Sequence, residues 1–365
     1  MARILFLEPY CGGSHKAFAE GLARHSGHEI ELVTLPGRFW KWRMRGSAPL
    51  FARTLEGRES PDLLLASSML PLAEFLGLAG EPLRRPPRVL YFHENQLTYP
   101  LGEGERRDLH LVMTQVASGM AADRILFNSR YHREEFLHAL PGFLRALPDR
   151  RPAGLPALFR ERSSVIPPGV DFATLSRSRP PREEGAPPTL LWNHRWEHDK
   201  GRDLLLGLVR RLRESRAEFR LIVTGAPEGA RSDLFEELPE AAGPHLVHVG
   251  FAKTRAAYAK LLASADLVVS TARHEFFGIS ILEAIHAGAF PLLPRALAYP
   301  EILPPDRFPS CYWGDQDELF AKARAYLMAG TPRHPALGGV PDRFAWPEVA
   351  PRFDRLFDEV LSLSA

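Results

Sequence analysis

The residues with the most chemical capacity fall in a few short segments. The first is His274-Glu-Phe-Phe-Gly-Ile-Ser-Ile-Leu-Glu283, which follows an apolar run ending at Ser270 and opens a helical pattern. Two carboxylates stand with seven residues between them, Glu275 before the helix and Glu283 within it. Gly278 permits a tight turn and a close backbone approach to a ligand. The unpaired N–H groups of such a helix start can hold an anion such as a diphosphate, so Phe276, Phe277, Gly278 and Ile279 are assigned to a donor site. Glu283 can accept a pair of hydrogen bonds from a ribose diol, and Glu275 can accept one from a sugar hydroxyl. The plainer alternative is that Glu275 caps the helix and Glu283 is a solvated charge. The second segment is Asn193-His-Arg-Trp-Glu-His-Asp-Lys-Gly201. Arg195 and Lys200 flank a turn and can converge on a pyrophosphate, neutralising charge as a leaving group departs. A surface ion pair with Glu197 or Asp199 is the alternative there.

Two further segments lie in the first half. In Glu8-Pro-Tyr-Cys-Gly-Gly-Ser-His-Lys16, Gly12 and Gly13 let the backbone approach a ligand, and Ser14 can cap the helix that follows. Tyr91-Phe-His-Glu-Asn-Gln96 passes abruptly from apolar to polar at the end of a strand pattern. His93 is a candidate contact to a reacting sugar, and Glu94, Asn95 and Gln96 are candidates to orient an acceptor; a satisfied core histidine is the alternative. Phe127-Asn-Ser-Arg130 repeats this pattern more faintly. Arg38-Phe-Trp-Lys-Trp-Arg-Met-Arg45 interleaves cations with aromatics, and no acid occurs from Leu32 to Leu55. Bases stack on aromatics and phosphates pair with cations, so Trp40, Lys41, Trp42 and Arg43 are candidate polynucleotide contacts. An amphipathic helix with a wet basic face reads equally from the same residues. Arg145 to Arg162 is a second basic cluster of the same ambiguity. Asp315-Gln-Asp317 has the look of a metal-binding pair but suits a helix start better, and no metal ligand is assigned.

These segments need elements to hold them. Short apolar runs at Ile4 to Leu7, Ile30 to Val33, Leu63 to Ala66, Val89 to Phe92, Ile125 to Phe127 and Ser164 to Ile166 alternate with amphipathic stretches such as Lys16 to Arg24 and Leu109 to Ala121. The rhythm recurs at Thr189 to Trp192, Leu221 to Thr224, Leu246 to Val249, Leu267 to Ser270 and Phe290 to Leu293. Such alternation predicts an α/β chain of two doubly wound, Rossmann-like parallel-sheet domains, with ligands beyond the carboxyl ends of the strands. The expected divisions are 1–170, a Pro- and Arg-rich linker at 171–188, a nucleotide-sugar domain at 189–345 and a terminal helix at 346–365 that packs back across the seam. Substrates would meet in a cleft between the domains.

The 365 residues suit two domains. Composition is that of a globular protein, 45% hydrophobic and 25% charged, which excludes a disordered or collagen-like chain. Two cysteines fit a reducing cytosol and cannot build a disulfide framework. The net charge is +2; 22 basic residues face 18 acidic ones up to Val170, and 24 face 26 beyond it, so a polyanion would meet the first half more readily. Neither the start of the chain nor the apolar stretch from Leu63 is long enough for a signal core or a membrane span.

Taken together, Glu275, Glu283, Arg195 and Lys200 resemble the donor-site signature of family-4 retaining glycosyltransferases of GT-B fold. A narrower resemblance, to the tRNA-queuosine α-mannosyltransferases, rests on Tyr10, Gly12-Gly-Ser-His-Lys16, Leu35-Pro36, Trp40, Trp42-Arg43, Tyr91 to Gln96, His194 to Lys200 and His274 to Gly278. It implies GT-B architecture and retaining transfer of mannose from GDP-mannose to the cyclopentenediol of queuosine in a tRNA anticodon, that of tRNA-Asp in the family. It implies that Glu275 binds the mannose hydroxyls and Glu283 the ribose. Arg195 and Lys200 would then stabilise the diphosphate, and His93 would contact the sugar near the reacting carbon. Gly12 and Gly13 would line the diphosphate and acceptor side, Gly250 and Phe251 the base, and Ser14, His15, Lys16, Trp40 to Arg43 and Glu94 to Gln96 the acceptor. No cofactor or metal is implied, and the setting would be cytoplasmic without stable membrane insertion. The residues assign no oligomeric state. The main alternatives are a GT-B enzyme with another nucleotide sugar or a lipid or saccharide acceptor, and a non-catalytic tRNA-binding protein.

Overall fold

Period-two alternation along apolar strands decides the architecture of each half. A computed structural model of the chain describes residues 1–102, 104–177, 184–226, 234–332 and 334–364. In the first half, Ile4, Phe6, Leu63, Leu65, Val89, Tyr91 and Leu126 pack on one face of a sheet. Leu5, Leu7, Leu64, Ala66, Leu90, Phe92, Ile125 and Phe127 pack on the other. Strands apolar on both faces need cover on both, which helices on either side of a parallel sheet supply. The strands are β1 (Arg3–Cys11), β2 (Glu29–Pro36), β3 (Leu63–Ser67), β4 (Arg88–Phe92), β5 (Arg124–Phe127) and β6 (Ser163–Val165), all parallel, in the order β2-β1-β3-β4-β5-β6.

The second half repeats the plan with β7 (Thr189–Trp192), β8 (Arg220–Thr224), β9 (Leu246–Gly250), β10 (Leu267–Val269), β11 (Phe290–Pro294) and β12 (Tyr312–Trp313). Their order is β12-β11-β10-β7-β8-β9, again all parallel. Counted from its own first strand this is the order of dinucleotide-binding folds, with the topological switch between β7 and β10. The two-residue β12 is too short for a periodic signal and was not expected from the sequence.

The chain divides into two units, Met1–Asp171 with Phe344–Ala365, and Phe172–Arg343. The helix Trp346–Ser364 therefore belongs to the first unit. It buries Trp346, Val349, Ala350, Phe353 and Phe357, a 3–4 spacing that lines one stripe. The Trp346 indole occupies the space in which a Cβ on Gly21 or Gly169 would stand, 2.1 and 2.2 Å from ring atoms. Asp354 accepts from the Ser26 hydroxyl at 2.5 Å and the Gly27 N–H at 2.9 Å, fixing the helix to the end of Gly13–His25. Of the expected linker, 178–183 lie outside the described residues; before them, Phe172 and Leu175 are buried, and the Phe172 ring stacks on His286 at 4.4 Å.

Candidate active site

In the second unit the switch point is built from the loops after β7 and β10. Gly201 has a φ of +64°, and a Cβ there would lie 2.0 Å from the Thr271 carbonyl oxygen. The two loops are thus pressed together where only glycine fits. Thr271 locks them: its hydroxyl donates to the Lys200 carbonyl at 2.8 Å and accepts from the Trp192 indole at 2.9 Å. The Lys200 side chain is 6% exposed. Its Nζ donates to the His274 carbonyl at 2.7 Å and sits 2.9 Å from Asp199 Oδ2 and 3.5 Å from Glu275 Oε2. Burial lowers the ammonium's pKa, but Glu275 and Asp199 outweigh it and raise it. Burial raises the Glu275 pKa, yet Lys200, His194, Arg195 and His274 bring it below the usual carboxylate range. His194 and His274 are pushed down to about 4, chiefly by burial. The site is therefore an ionised carboxylate beside a buried ammonium, walled by neutral imidazoles.

Arg195 is more than half exposed and pairs with Glu197 at 2.9 Å; its charge acts on both Glu275 and Lys200. Both surface-pair alternatives thus exist in part, except that Lys200–Asp199 is buried. Glu283, eight residues beyond Glu275 on the helix Ile279–His286, is engaged separately. Its oxygens accept from Arg255 at 2.6 Å and from the Tyr258 hydroxyl at 3.0 Å. Burial raises its pKa against the pull of Arg255. Asn193, directly after β7, donates to the Tyr258 hydroxyl at 3.2 Å and the Ser280 carbonyl at 2.8 Å. Glu283 is thus not a solvated charge. Gly278, with φ +106°, precedes the helix; Phe276 and Phe277 are buried, so that segment offers backbone and not rings. Gly250 ends β9 with φ +132°, and Phe251 beyond it is 61% exposed.

In the first unit, Gly12 caps the helix Gly13–His25 without a side-chain bond, and Gly13 has φ +52°. Ser14 lies inside the helix and does not cap it, a correction set by the left-handed turn at Gly13. Gly12 must be small because the loop after β2 crosses it: a Cβ would meet the Gly37 Cα at 3.1 Å. Lys16 is exposed and pairs with Glu20 at 3.7 Å. His15 turns inward onto Glu8, and His93 lies against both. Burial, with His15 and His132 nearby, takes the His93 pKa well below the usual value. Asn95 is fully buried and spends its amide on Thr98, so it shapes a turn and does not face an acceptor. Glu94 and Gln96 are half-buried, and their backbone groups bond Ser68, Gln115 and Arg107.

The basic-aromatic stretch forms the helix Trp40–Thr54, which buries Met44, Ala48 and Phe51. Arg43 is buried and donates to the Pro36 carbonyl, so it leaves the candidate acceptor surface. Trp40 is half-buried under Lys41, whose ammonium lies 5.4 Å from the indole. Trp42 is 59% exposed, and Phe39, in the left-handed region at φ +55°, is 72% exposed. Asp315 caps Gln316–Ala329 by accepting from the Glu318 N–H, as a helix start.

Comparison with other proteins places this architecture. Residues 3–170 match the family model described as tRNA-queuosine alpha-mannosyltransferase N-terminal. Over 309 residues the chain is 37% identical to the tRNA-queuosine alpha-mannosyltransferase of Drosophila melanogaster, covering 82% of this chain and 81% of that protein. The chain belongs to the tRNA-queuosine α-mannosyltransferase family. Residues 153–295 match a second model, a family 4 glycosyltransferase in conflict systems. A further relative, at 32% identity over 342 residues, is the GDP-mannose-dependent alpha-(1-6)-phosphatidylinositol dimannoside mannosyltransferase of Mycobacterium tuberculosis, with 89% and 82% coverage. The fold matches the solved sucrose-phosphate synthase of Thermosynechococcus elongatus over the full length of both chains, at a TM-score of 0.71 and 16% identity. The two six-stranded sheets and this likeness show the GT-B fold, and the protein is a glycosyltransferase. Among the described residues no helix is long and apolar enough to cross a membrane.

Within this family frame the sequence reading had missed Arg255, Tyr258 and Asn193 as partners of Glu283, and Asp199 and Glu8 as buried carboxylates. Asp199 and Glu8 lie inside the segments Asn193 to Gly201 and Glu8 to Lys16, where acidity beside cations or histidines is a usable signal. Arg255 lies 28 residues from Glu283, and no spacing rule joins them.

Proposed function

We propose that this glycosyltransferase moves mannose from GDP-mannose, with retention, to the cyclopentenediol of queuosine in a tRNA anticodon. The observation that carries the reading is the buried Lys200 ammonium, held 3.5 Å from the ionised Glu275 at the switch point of a dinucleotide-type sheet. A diphosphate settling on the N–H groups after Gly278 would meet Lys200 and Arg195, and their charge would stabilise it as the glycosidic bond breaks. No metal is required for that step, because the two cations supply the charge. Glu275 would accept from the mannose hydroxyls and Glu283, with Arg255 and Tyr258, would hold the ribose. Retention then follows a front-face route, in which the departing phosphate takes the acceptor proton and the protein supplies position. Family membership supports queuosine as acceptor, and the printed donor of the mycobacterial relative supports GDP-mannose. Exposed Phe39, Lys41 and Trp42 supply a stacking and charge surface for RNA, and a tRNA substrate implies work in the cytoplasm.

The same exposed aromatics beside a cation would also suit a lipid surface, the acceptor type in the mycobacterial relative's name. The test separates the two. Purified protein is incubated with queuosine-containing tRNA, queuosine-free tRNA or a phosphoinositide mannoside, each with a panel of nucleotide sugars, and products are read by mass spectrometry. A hexose on queuosine, formed only with GDP-mannose, is expected. Transfer to lipid alone, or none with queuosine tRNA, overturns the reading.

A further inference from the structure

We propose that Glu8, His15 and His93 form a binding site for one divalent transition-metal ion, with a coordination position left open. The site goes beyond the mannosyl-transfer reading, which routes no step through a metal, and does not rest on it. The three residues come from the carboxyl-terminal part of β1, the first turn of Gly13–His25 and the residue after β4, the end of a parallel sheet where ligands gather. One oxygen of Glu8 faces both imidazoles: Oε2 is 3.2 Å from His15 Nδ1 and 3.7 Å from His93 Nε2. All three potential donor atoms lie within 4.8 Å of one another. Donors placed 2.0–2.1 Å from a tetrahedral zinc stand about 3.3 Å apart. The two Glu8–histidine separations, 3.2 and 3.7 Å, are already near that value, and metal binding would draw the two imidazole nitrogens together from a separation of at most 4.8 Å.

The surroundings treat the group as a site. The Glu8 side chain is fully buried, where a carboxylate is held by paired donors or by a metal, and both of its neighbours at Oε2 are imidazole nitrogens able to ligate one. His93 is 90% buried, and its Nε2 has no hydrogen-bond partner although it points at Glu8. Glu8 Oε1 accepts from the Tyr10 N–H at 2.8 Å, which fixes the carboxylate and leaves Oε2 as the donor. Asn128 donates to the His93 backbone carbonyl at 2.9 Å, which holds the main chain there, and the imidazole itself packs perpendicular to the Phe18 ring, centroids 4.8 Å apart, and against His15, centroids 4.0 Å apart. Two imidazole nitrogens with one carboxylate oxygen favour zinc and its first-row neighbours over magnesium or calcium. Three protein ligands leave a fourth place for an oxygen ligand, a water or a hydroxyl.

The test uses the full chain without an affinity tag. Chelator-treated protein is titrated with zinc by calorimetry, and the zinc retained after gel filtration is counted by mass spectrometry. One zinc per chain is expected, with a rise in thermal midpoint. Glu8→Gln and His15→Ala are expected to weaken binding by more than about tenfold, while the exposed His110→Ala leaves it unchanged. Cobalt-loaded wild type should show the intense visible bands of a four-coordinate ion, a readout that holds if a variant does not fold. Absence of retained zinc in the wild type, binding unaffected by Glu8→Gln in a folded variant, or the weak spectrum of six-coordinate cobalt each overturns the proposal.

Discussion

Lys200 stays charged in a place that excludes water because two carboxylates flank it. The arrangement divides labour: Asp199 lies wholly inside, while Glu275 keeps 19% of its side chain in contact with solvent. Glu275→Ala is expected to lower turnover by about 10²–10³ and to leave GDP affinity near normal, since GDP lacks the sugar that Glu275 would hold. Steady-state rates with calorimetric GDP titration check this, and a fully active variant removes Glu275 from the reaction. Asp199→Asn takes away one of the two charges that raise the Lys200 pKa. The alkaline limb of the rate–pH profile should then move to lower pH; an unmoved limb means the ammonium does not govern turnover.

Elements place these residues, and their turns are the vulnerable points. At Gly201 a methyl group meets both a positive φ and the Thr271 carbonyl. Gly201→Ala should cost about 2–4 kcal/mol in urea unfolding and impair activity at the same time. At the start of the helix Trp40–Thr54, Phe39→Ala at its N-cap and Trp42→Ala in its first turn should each weaken tRNA binding by about 1–3 kcal/mol, read by filter binding at fixed salt. An unchanged Kd for both removes this patch from the acceptor surface. This scale also shows what a sequence can reveal. Strand cores such as Leu63–Ser67 and helices such as Leu109–Ala121 were legible because burial on a sheet or along a stripe repeats with a fixed period. Loop chemistry at Lys200 and Glu275 was legible because polar residues follow apolar strands abruptly. Side-chain direction was not: Arg43 and Asn95 are polar residues that satisfy themselves on local backbone or a neighbouring hydroxyl, which no periodicity encodes. The partners of Glu283 come from the helix Arg255–Ala263, brought near only by tertiary folding.

Across the whole molecule, buried neutral histidines add to the acid response that carboxylates with lowered pKa, such as Glu275, also carry. His194 and His274 titrate at about 4 when folded and near 6.5 when unfolded. The unfolded chain therefore binds more protons between those values, and stability present above pH 6.5 is lost as pH falls toward 4. The loss should be on the order of 3 kcal/mol for each histidine, seen as a falling denaturation midpoint, and His194→Gln should flatten the curve. A flat midpoint across that range means the imidazoles charge freely in the fold.

The helix carrying Trp346 follows the entire second unit in sequence yet completes the core of the first. During synthesis the ribosome must deliver the nested unit, Phe172–Arg343, before that helix emerges. At about 5–20 residues per second the pause is roughly ten to thirty seconds. For that interval the apolar face around Phe18 and Tyr91 stands uncovered on a nascent chain, a natural target for a chaperone and the stage at which translation speed would decide yield.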